Sequence, residues 1–246
     1  MNMKNERFIT NQMSDIGYSA KEIDEVREAM AHGQPGISKT FSKDTEEGRL
    51  VTRPVLTKGS EGDFYFFNKY RATLLQPGVQ DVKEVMVYVN KSHNYTLDEV
   101  SKMLKGGALE KELLDRNQKP YVGWSAVDSK EVDKDGFSLI KSRHPNYGFV
   151  LSEAAEQFAI KDFKDDTRRL EVFDRLKKGE LVRVTGADDK TYFIAPNPKF
   201  KTLDIYDDQA RKLSMEQRME LRVDGMKEGE KHSNAARQEA KKGMGV

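Results

Sequence analysis

The sequence predicts an α+β fold in which short helices alternate with small antiparallel sheets. Three observations carry that prediction. Ser or Thr followed three residues later by Glu or Gln occurs at Ser19–Glu22, Thr96–Glu99 and Ser214–Gln217. Each pair forms a capping box that satisfies two unpaired N–H groups where a helix begins. Apolar residues then recur at helical spacing, as at Ile23, Val26 and Met30, and at Leu97, Val100 and Leu104. Between these stretches lie strand-length runs rich in β-branched and aromatic residues, bounded by glycine.

Taken in order, Phe8, Ile9, Met13 and Ile16 place a first helix that ends at Gly17, and Ser19 opens a second that ends at Gly33 and Pro35. The period then changes. Residues 37–41, 50–56, 64–67 and 70–75 read as short strands, with Gly48, Gly59 and Gly62 between them, and Val82–Val89 reads as a further strand. The aromatic run Phe64–Asn68 is expected to be buried on both faces. The helix opened by Thr96 stops at Gly106–Gly107. Residues 121–127 and 137–140 predict a hairpin across an acidic turn, and Ser152 is placed as the cap of a helix carrying Ala155 and Phe158. Residues 166–178 predict a helix with Leu170, Phe173 and Leu176 on one face and Gly179 at its end. Three strands follow at 181–185, 192–195 and 203–206, with turns at Asp188–Asp189 and Pro196–Pro198.

Gly33, Gly106 and Gly179 lie 73 residues apart, each after an amphipathic helix and before short strands. Two readings are open: a repeated helix-plus-meander module, or coincidence among 18 glycines. The expected organisation is a helical pair with an antiparallel sheet over 1–90, a helix–hairpin module over 91–150, a helix with three strands over 151–213, and a polar helical or flexible tail over 214–246. Apolar residues are scarce beyond Gly225, where Lys231, Arg237, Lys241 and Lys242 give the tail a basic end.

Composition excludes several chemistries. The chain has 246 residues, 34 % of them charged, with 12 Phe, 9 Tyr and one Trp. Those aromatics argue against wholesale disorder. Formal net charge is +1, so cations can act as local patches but not as a global coat. With no Cys there is no disulfide, no Cys-ligated zinc, no iron–sulfur cluster and no thiol nucleophile. The first ten residues are polar and no run of eighteen apolar residues occurs, so no membrane span and a cytoplasmic location are expected.

Candidate chemistry is sparse. His32, His93, His144 and His232 lie far apart in sequence, without metal-ligand spacing. The turn Glu131–Gly136 has the start of a calcium loop, but Ser142 stands where the bidentate Glu belongs; an Asp-Gly turn accounts for it with less. No phosphate-cradling glycine loop and no GxSxG elbow occur, so neither a catalytic group nor a cofactor is expected. The most unusual segment is 141–149. Its Lys141, Arg143, His144, Asn146 and Tyr147 combine cations, an amide and aromatics, a set that can contact phosphates and stack on bases. A Pro-Asn turn with Tyr147 and Phe149 packed inward is the competing reading.

The strings Tyr65–Tyr70 (YFFNKY), Tyr95–Glu99 (YTLDE), Lys119–Trp124 (KPYVGW), His144–Gly148 (HPNYG) and Asn197–Asp207 (NPKFKTLDIYD) resemble an uncharacterised protein family of Bacteroidetes mobile elements. Its members are carried on conjugative transposons, near topoisomerase and mobilisation genes. The similarity covers residues 6 to 212 and implies a setting of DNA transfer, maintenance or host interaction of a mobile element, without implying a reaction or any binding residues. Together these readings give a non-enzymatic accessory protein whose expected partner is nucleic acid or a protein of DNA processing. The alternative is a protein-interaction module, an inhibitor or adaptor, with no nucleic-acid contact.

Overall fold

A computed structural model describes residues 2–60, 63–79 and 82–223. The expected tail beyond Val223 lies outside the described residues. The chain divides into two compact units, one ending at Pro145 and the other beginning at Asn146.

The first unit opens with two helices, α1 (Met3–Ile16) and α2 (Ala20–Ala31). Gly17 ends α1 in the left-handed region at φ 107°, the conformation a helix C-terminus favours and that costs only glycine nothing. Ser19 and Glu22 make the full capping box of α2. The chain then runs through β1 (Gly36–Ile37), β2 (Phe41–Thr45), β3 (Gly48–Lys58), β4 (Tyr65–Leu75) and β5 (Glu84–Tyr88). Helix α3 (Leu97–Lys105), capped by Thr96 and Glu99, leads into β6 (Ala108–Leu114), β7 (Pro120–Val132) and β8 (Ser138–Arg143). These eight strands form one sheet in the order β1-β3-β4-β5-β8-β7-β6, with β2 also paired to β3. Every pairing is antiparallel except β5 with β8.

Strict alternation along β3 buries Leu50, Thr52, Pro54 and Leu56. Tyr65, Phe67, Tyr70, Ala72 and Leu74 do the same on β4. This face packs against Ile9, Met13 and Ile16 of α1, Val26 and Met30 of α2, and Val100 and Leu104 of α3, in one apolar core. An aromatic knot sits inside it: Tyr18 meets Phe41, Phe67 and Tyr70 edge-on at 6.0–6.5 Å between centroids. Edge-to-face geometry of this kind adds to the stabilisation from burial.

The second unit contains α4 (Leu151–Glu156), α5 (Asp166–Lys177), a three-stranded antiparallel sheet of β9 (Val182–Thr185), β10 (Thr191–Asn197) and β11 (Thr202–Tyr206), and α6 (Met215–Glu220). Val172 and Leu176 of α5 and Val182, Ile194, Leu203 and Ile205 of the sheet are buried. Arg218 fixes α6 by donating from Nη2 to the Leu203 carbonyl at 2.9 Å. Among the described residues no helix is long and apolar enough to cross a membrane.

The α+β class stands, with several corrections. The strands before residue 145 are not small separate sheets, because the parallel β5–β8 pair joins residues 84–88 to 138–143 in one mixed sheet. The expected boundary at 90/91 falls between β5 and α3, inside the first unit. Among the described residues no repeated modules are seen: the strands after α2 and α3 share one sheet, whereas those after α5 form their own. Residues 64–67 and 70–75 belong to a single strand, β4, and β6 was not expected at all. Ser152 lies inside α4 and does not cap it; Val150 holds the N-cap position without a side-chain bond. On α5 the buried face is Val172–Leu176, while Leu170 is 63 % exposed.

Several hairpins close by one device. Asp115, Asp133 and Asp207 each accept backbone N–H bonds from the residues two and four positions on, at 2.7–3.0 Å. The acidic turn at 133–136 is one of these, with its Asp133 carboxylate spent on Asp135 and Phe137. Each turn puts its fourth residue in the left-handed region: Gln118, Gly136 and Ala210. An L residue there costs about 1–2 kcal/mol, and glycine gives back part of that gain through unfolded-chain entropy. Ala210→Gly is therefore expected to stabilise the protein by about 0.5–1 kcal/mol, read as a rise in thermal midpoint.

Candidate nucleic-acid interface

The five residues singled out in segment 141–149 fall on both sides of the unit boundary. Lys141 and Arg143 lie on β8, and His144 follows it. Lys141 Nζ pairs with Glu131 Oε2 at 2.6 Å, across the β7–β8 hairpin. Arg143 stands opposite Trp124 of β7 in the ladder. The His144 ring lies 4.7 Å from the Tyr121 ring, tilted by 42°. Asn146 and Tyr147 form a single 3-10 turn at the start of the second unit. There Tyr147 donates its hydroxyl to the Lys199 carbonyl at 2.9 Å, with Lys201 Nζ 5.2 Å from its ring centroid. Lys141, His144 and Tyr147 thus each have a partner within their own unit.

A second group, on the first unit, is assembled by strand register. The face of the sheet opposite α1–α3 carries the alternate residues of β3, namely Arg49, Val51, Arg53, Val55 and Thr57. Residues directly opposite in an antiparallel ladder share a face with Cβ atoms about 4.5–5.5 Å apart. Arg53 lies opposite Arg71 of β4, and Arg71 opposite Met86 of β5. One row along, Val55 lies opposite Lys69, and Lys69 opposite Tyr88. At the end of β4, Thr57 lies opposite Phe66. Phe66 and Tyr88 are 52 % and 55 % exposed.

A bulge makes this grouping possible. The register shifts between Val55 and Leu56, so that Leu56 faces Phe67 while Val55 faces Lys69, and Asn68 is the extra residue. A one-residue insertion reverses which positions face the core. Phe66 and Lys69, three apart in sequence, therefore end on the same side. The run Phe64–Asn68 is accordingly not buried on both faces: Tyr65 and Phe67 point into the core and Phe66 points out.

Asp44 of β2 lies opposite Arg49 on this face and Glu84 of β5 lies opposite Thr73, yet this face's cations on β3 and β4 are not held in ion pairs. Arg49, Arg53, Lys69 and Arg71 have no ion-pair partner among the described residues. Arg49 donates to the Ser42 hydroxyl at 2.9 Å and Arg53 to the Thr40 hydroxyl at 3.2 Å, contacts that orient the guanidinium groups without neutralising them. Arg71 is seated 4.4 Å over the Phe137 ring. Two like charges directly opposite in a ladder are unfavourable by themselves, and the Arg53–Arg71 pair is such a case. An anion spanning both guanidinium groups would relieve that repulsion. Compared with protein-family models, with curated proteins and with solved structures, the chain matches none.

Among the described residues no three His, Asp or Glu side chains gather in a way that could hold a metal ion. Neither the cations of β3 and β4 nor Tyr88 was singled out from the sequence. The available signal was the pattern Arg49-x-Val51-x-Arg53-x-Val55, an alternation that marks one solvent-facing strand side.

Proposed function

We propose that this protein binds single-stranded nucleic acid across the outer face of β3, β4 and β5. The observation that carries the reading is the register that sets Arg53 beside Arg71 and Lys69 beside Tyr88, with Phe66 exposed on the same side. Unneutralised guanidinium groups attract phosphates, and exposed rings on an open sheet accept bases by stacking. A duplex keeps its bases stacked on each other, so a face that offers rings suits a single strand. The sequence resemblance to mobile-element proteins supports the same reading, since DNA transfer generates single strands. Near-neutral net charge favours modest affinity with strong salt dependence.

The test is fluorescence anisotropy with a labelled oligo(dT) of about 20 nucleotides, a length that exceeds the span of one small domain. Binding that weakens steeply with salt is expected. The double variant Arg53→Ala/Arg71→Ala is expected to weaken binding at least about ten-fold and to flatten the salt slope by about 1.4, the share of two phosphate contacts on a single strand. Tyr88→Ala is expected to cost about 1–3 kcal/mol of binding with the slope unchanged, because stacking releases no counterions. Absence of binding at about 50 mM salt would eliminate the proposal.

A further inference from the structure

The one parallel pairing in the eight-stranded sheet is short. Val85 pairs with Ser138 and Met86 with Leu139, and beyond these two rungs β5 and β8 separate. The gap opens outside the carboxyl ends of two parallel strands, the place where open α/β sheets form ligand crevices. Here it is a cleft of about 620 Å³, inside the roughly 300–1,000 Å³ range of small-molecule sites.

Its lining divides by chemistry. Met86, Leu139 and Ile140 supply an apolar floor, and Tyr88 and Tyr121 supply aromatic walls. Tyr121 is held in place from below and from one side. A Cβ at Gly123 would come within 2.6 Å of the Tyr121 ring and 2.7 Å of the Arg143 carbonyl oxygen, so the ring rests on a position that glycine fills, and His144 stands against it. At the wall, the Tyr95 hydroxyl meets Ser125 Oγ at 2.8 Å and Ser142 Oγ at 2.9 Å, and the two serines are 3.1 Å apart. Three hydroxyls have three protons for these three contacts, which leaves Ser142 a lone pair to offer a ligand donor.

The rim is polar and pinned. Asn94 Oδ1 accepts from the Asn90 N–H at 2.7 Å, and His93 bridges Ser92 Oγ at 2.9 Å and Glu112 Oε1 at 3.0 Å. His93 holds φ at +58°, a left-handed conformation uncommon for a residue with a side chain and enriched at functional loops. Beside it Lys91 is exposed and has no carboxylate partner among the described residues. The Asn90 and Gln118 amides complete the rim, each presenting both a donor and an acceptor.

We propose that this cleft binds a nucleoside monophosphate, with the base stacked on Tyr121, its edge read by Asn90 and Gln118, and the phosphate at Lys91. An apolar floor with phenol walls takes a planar ring, paired amides match a base edge, and a single unneutralised cation matches one phosphate. A purely apolar ligand would leave Lys91 and the amides without use, and a simple anion would leave the walls empty. The inference stands on the cleft alone and does not require a strand on the neighbouring sheet face, although Tyr88 borders both.

Isothermal titration calorimetry with AMP, GMP, CMP and UMP tests it, alongside inorganic phosphate and the oligo(dT) measurement. At least one nucleotide is expected to bind with Kd below about 1 mM. Lys91→Ala and Tyr121→Ala are each expected to weaken it at least about ten-fold, a typical cost of losing one such contact. Lys91→Arg is expected to retain binding, and Arg53→Ala to leave it unchanged. No heat with any of the four nucleotides, equal binding by the Lys91 and Tyr121 variants, or equal binding of inorganic phosphate would each overturn the proposal. If oligo(dT) binds while every nucleotide fails, the cleft is refuted and the sheet face stands; the converse result refutes the sheet face alone.

Discussion

Tyr70→Ala is expected to destabilise the first unit by about 3–5 kcal/mol, the loss measured when large aromatic side chains are cut from cores. Tyr70 is fully buried in the aromatic knot, 6.2 Å from Tyr18 and 6.4 Å from Phe67 between ring centroids. Its hydroxyl donates to the Tyr95 carbonyl at 3.2 Å, linking β4 to the turn before α3. Truncation removes the ring's contacts and leaves that carbonyl without its donor. Whole domains are stable by only about 5–15 kcal/mol, so the variant should lie near the edge of folding. Urea unfolding followed by circular dichroism checks it through a lower midpoint. Tyr70→Phe separates the two contributions: it keeps the ring and loses the hydrogen bond, for an expected cost of about 1 kcal/mol. A Phe variant as unstable as the Ala variant would contradict the packing account.

Alkaline unfolding between pH 10 and 12 is the second large effect. Burial pushes up the phenol ionisation of Tyr18, Tyr70, Tyr95 and Tyr121. In the second unit Tyr192 and Tyr206 are each pushed up to about 12. Burial is the main cause in both, aided at Tyr192 by the hydrogen bond it donates to Asp188 at 2.8 Å and at Tyr206 by the nearby Asp204 charge. The sign follows from which state loses its protons first. In the unfolded chain tyrosine ionises near pH 10. Below that pH both states are neutral and stability is unaffected. Above it the unfolded chain releases protons that the folded protein retains, so stability falls until the folded groups ionise as well. Two pH units at Tyr206 alone correspond to about 3 kcal/mol. Phenolate absorbance and circular dichroism should therefore change together in one cooperative step. A gradual phenolate titration starting at pH 10 with the fold intact would show that these rings are not shielded.

Local rules carried most of the helices. The capping boxes at Ser19, Thr96 and Ser214 and the left-handed glycines at 17 and 106 are written within a few residues of chain, and the structure has them all. Strand β6 escaped because Ala108–Leu114 holds Glu110, Lys111 and Glu112. Its charges suit an edge position and blur the alternation that marks a strand. The α5 face was misread because Leu170 is apolar yet faces solvent, and isolated exposed leucines are common on protein surfaces. The candidate interface was hidden for a different reason. Its residues belong to three strands, and only the cross-strand register and the Asn68 bulge bring them together. The cleft likewise depends on a pairing between residues about fifty positions apart.

That pairing also bears on how the chain reaches its fold. The ribbon from β1 to β5 and the ribbon from β6 to β8 each close through neighbouring hairpins, whose ends meet quickly. The seam between them must bring Val85 to Ser138 across α3 and two intervening strands. Long loops are slow to close, so the seam forms late and is the natural place for the sheet to part first under stress. Whatever occupies the crevice beside it would act as a clasp on the two ribbons, making ligand capture and mechanical integrity of the first unit the same event.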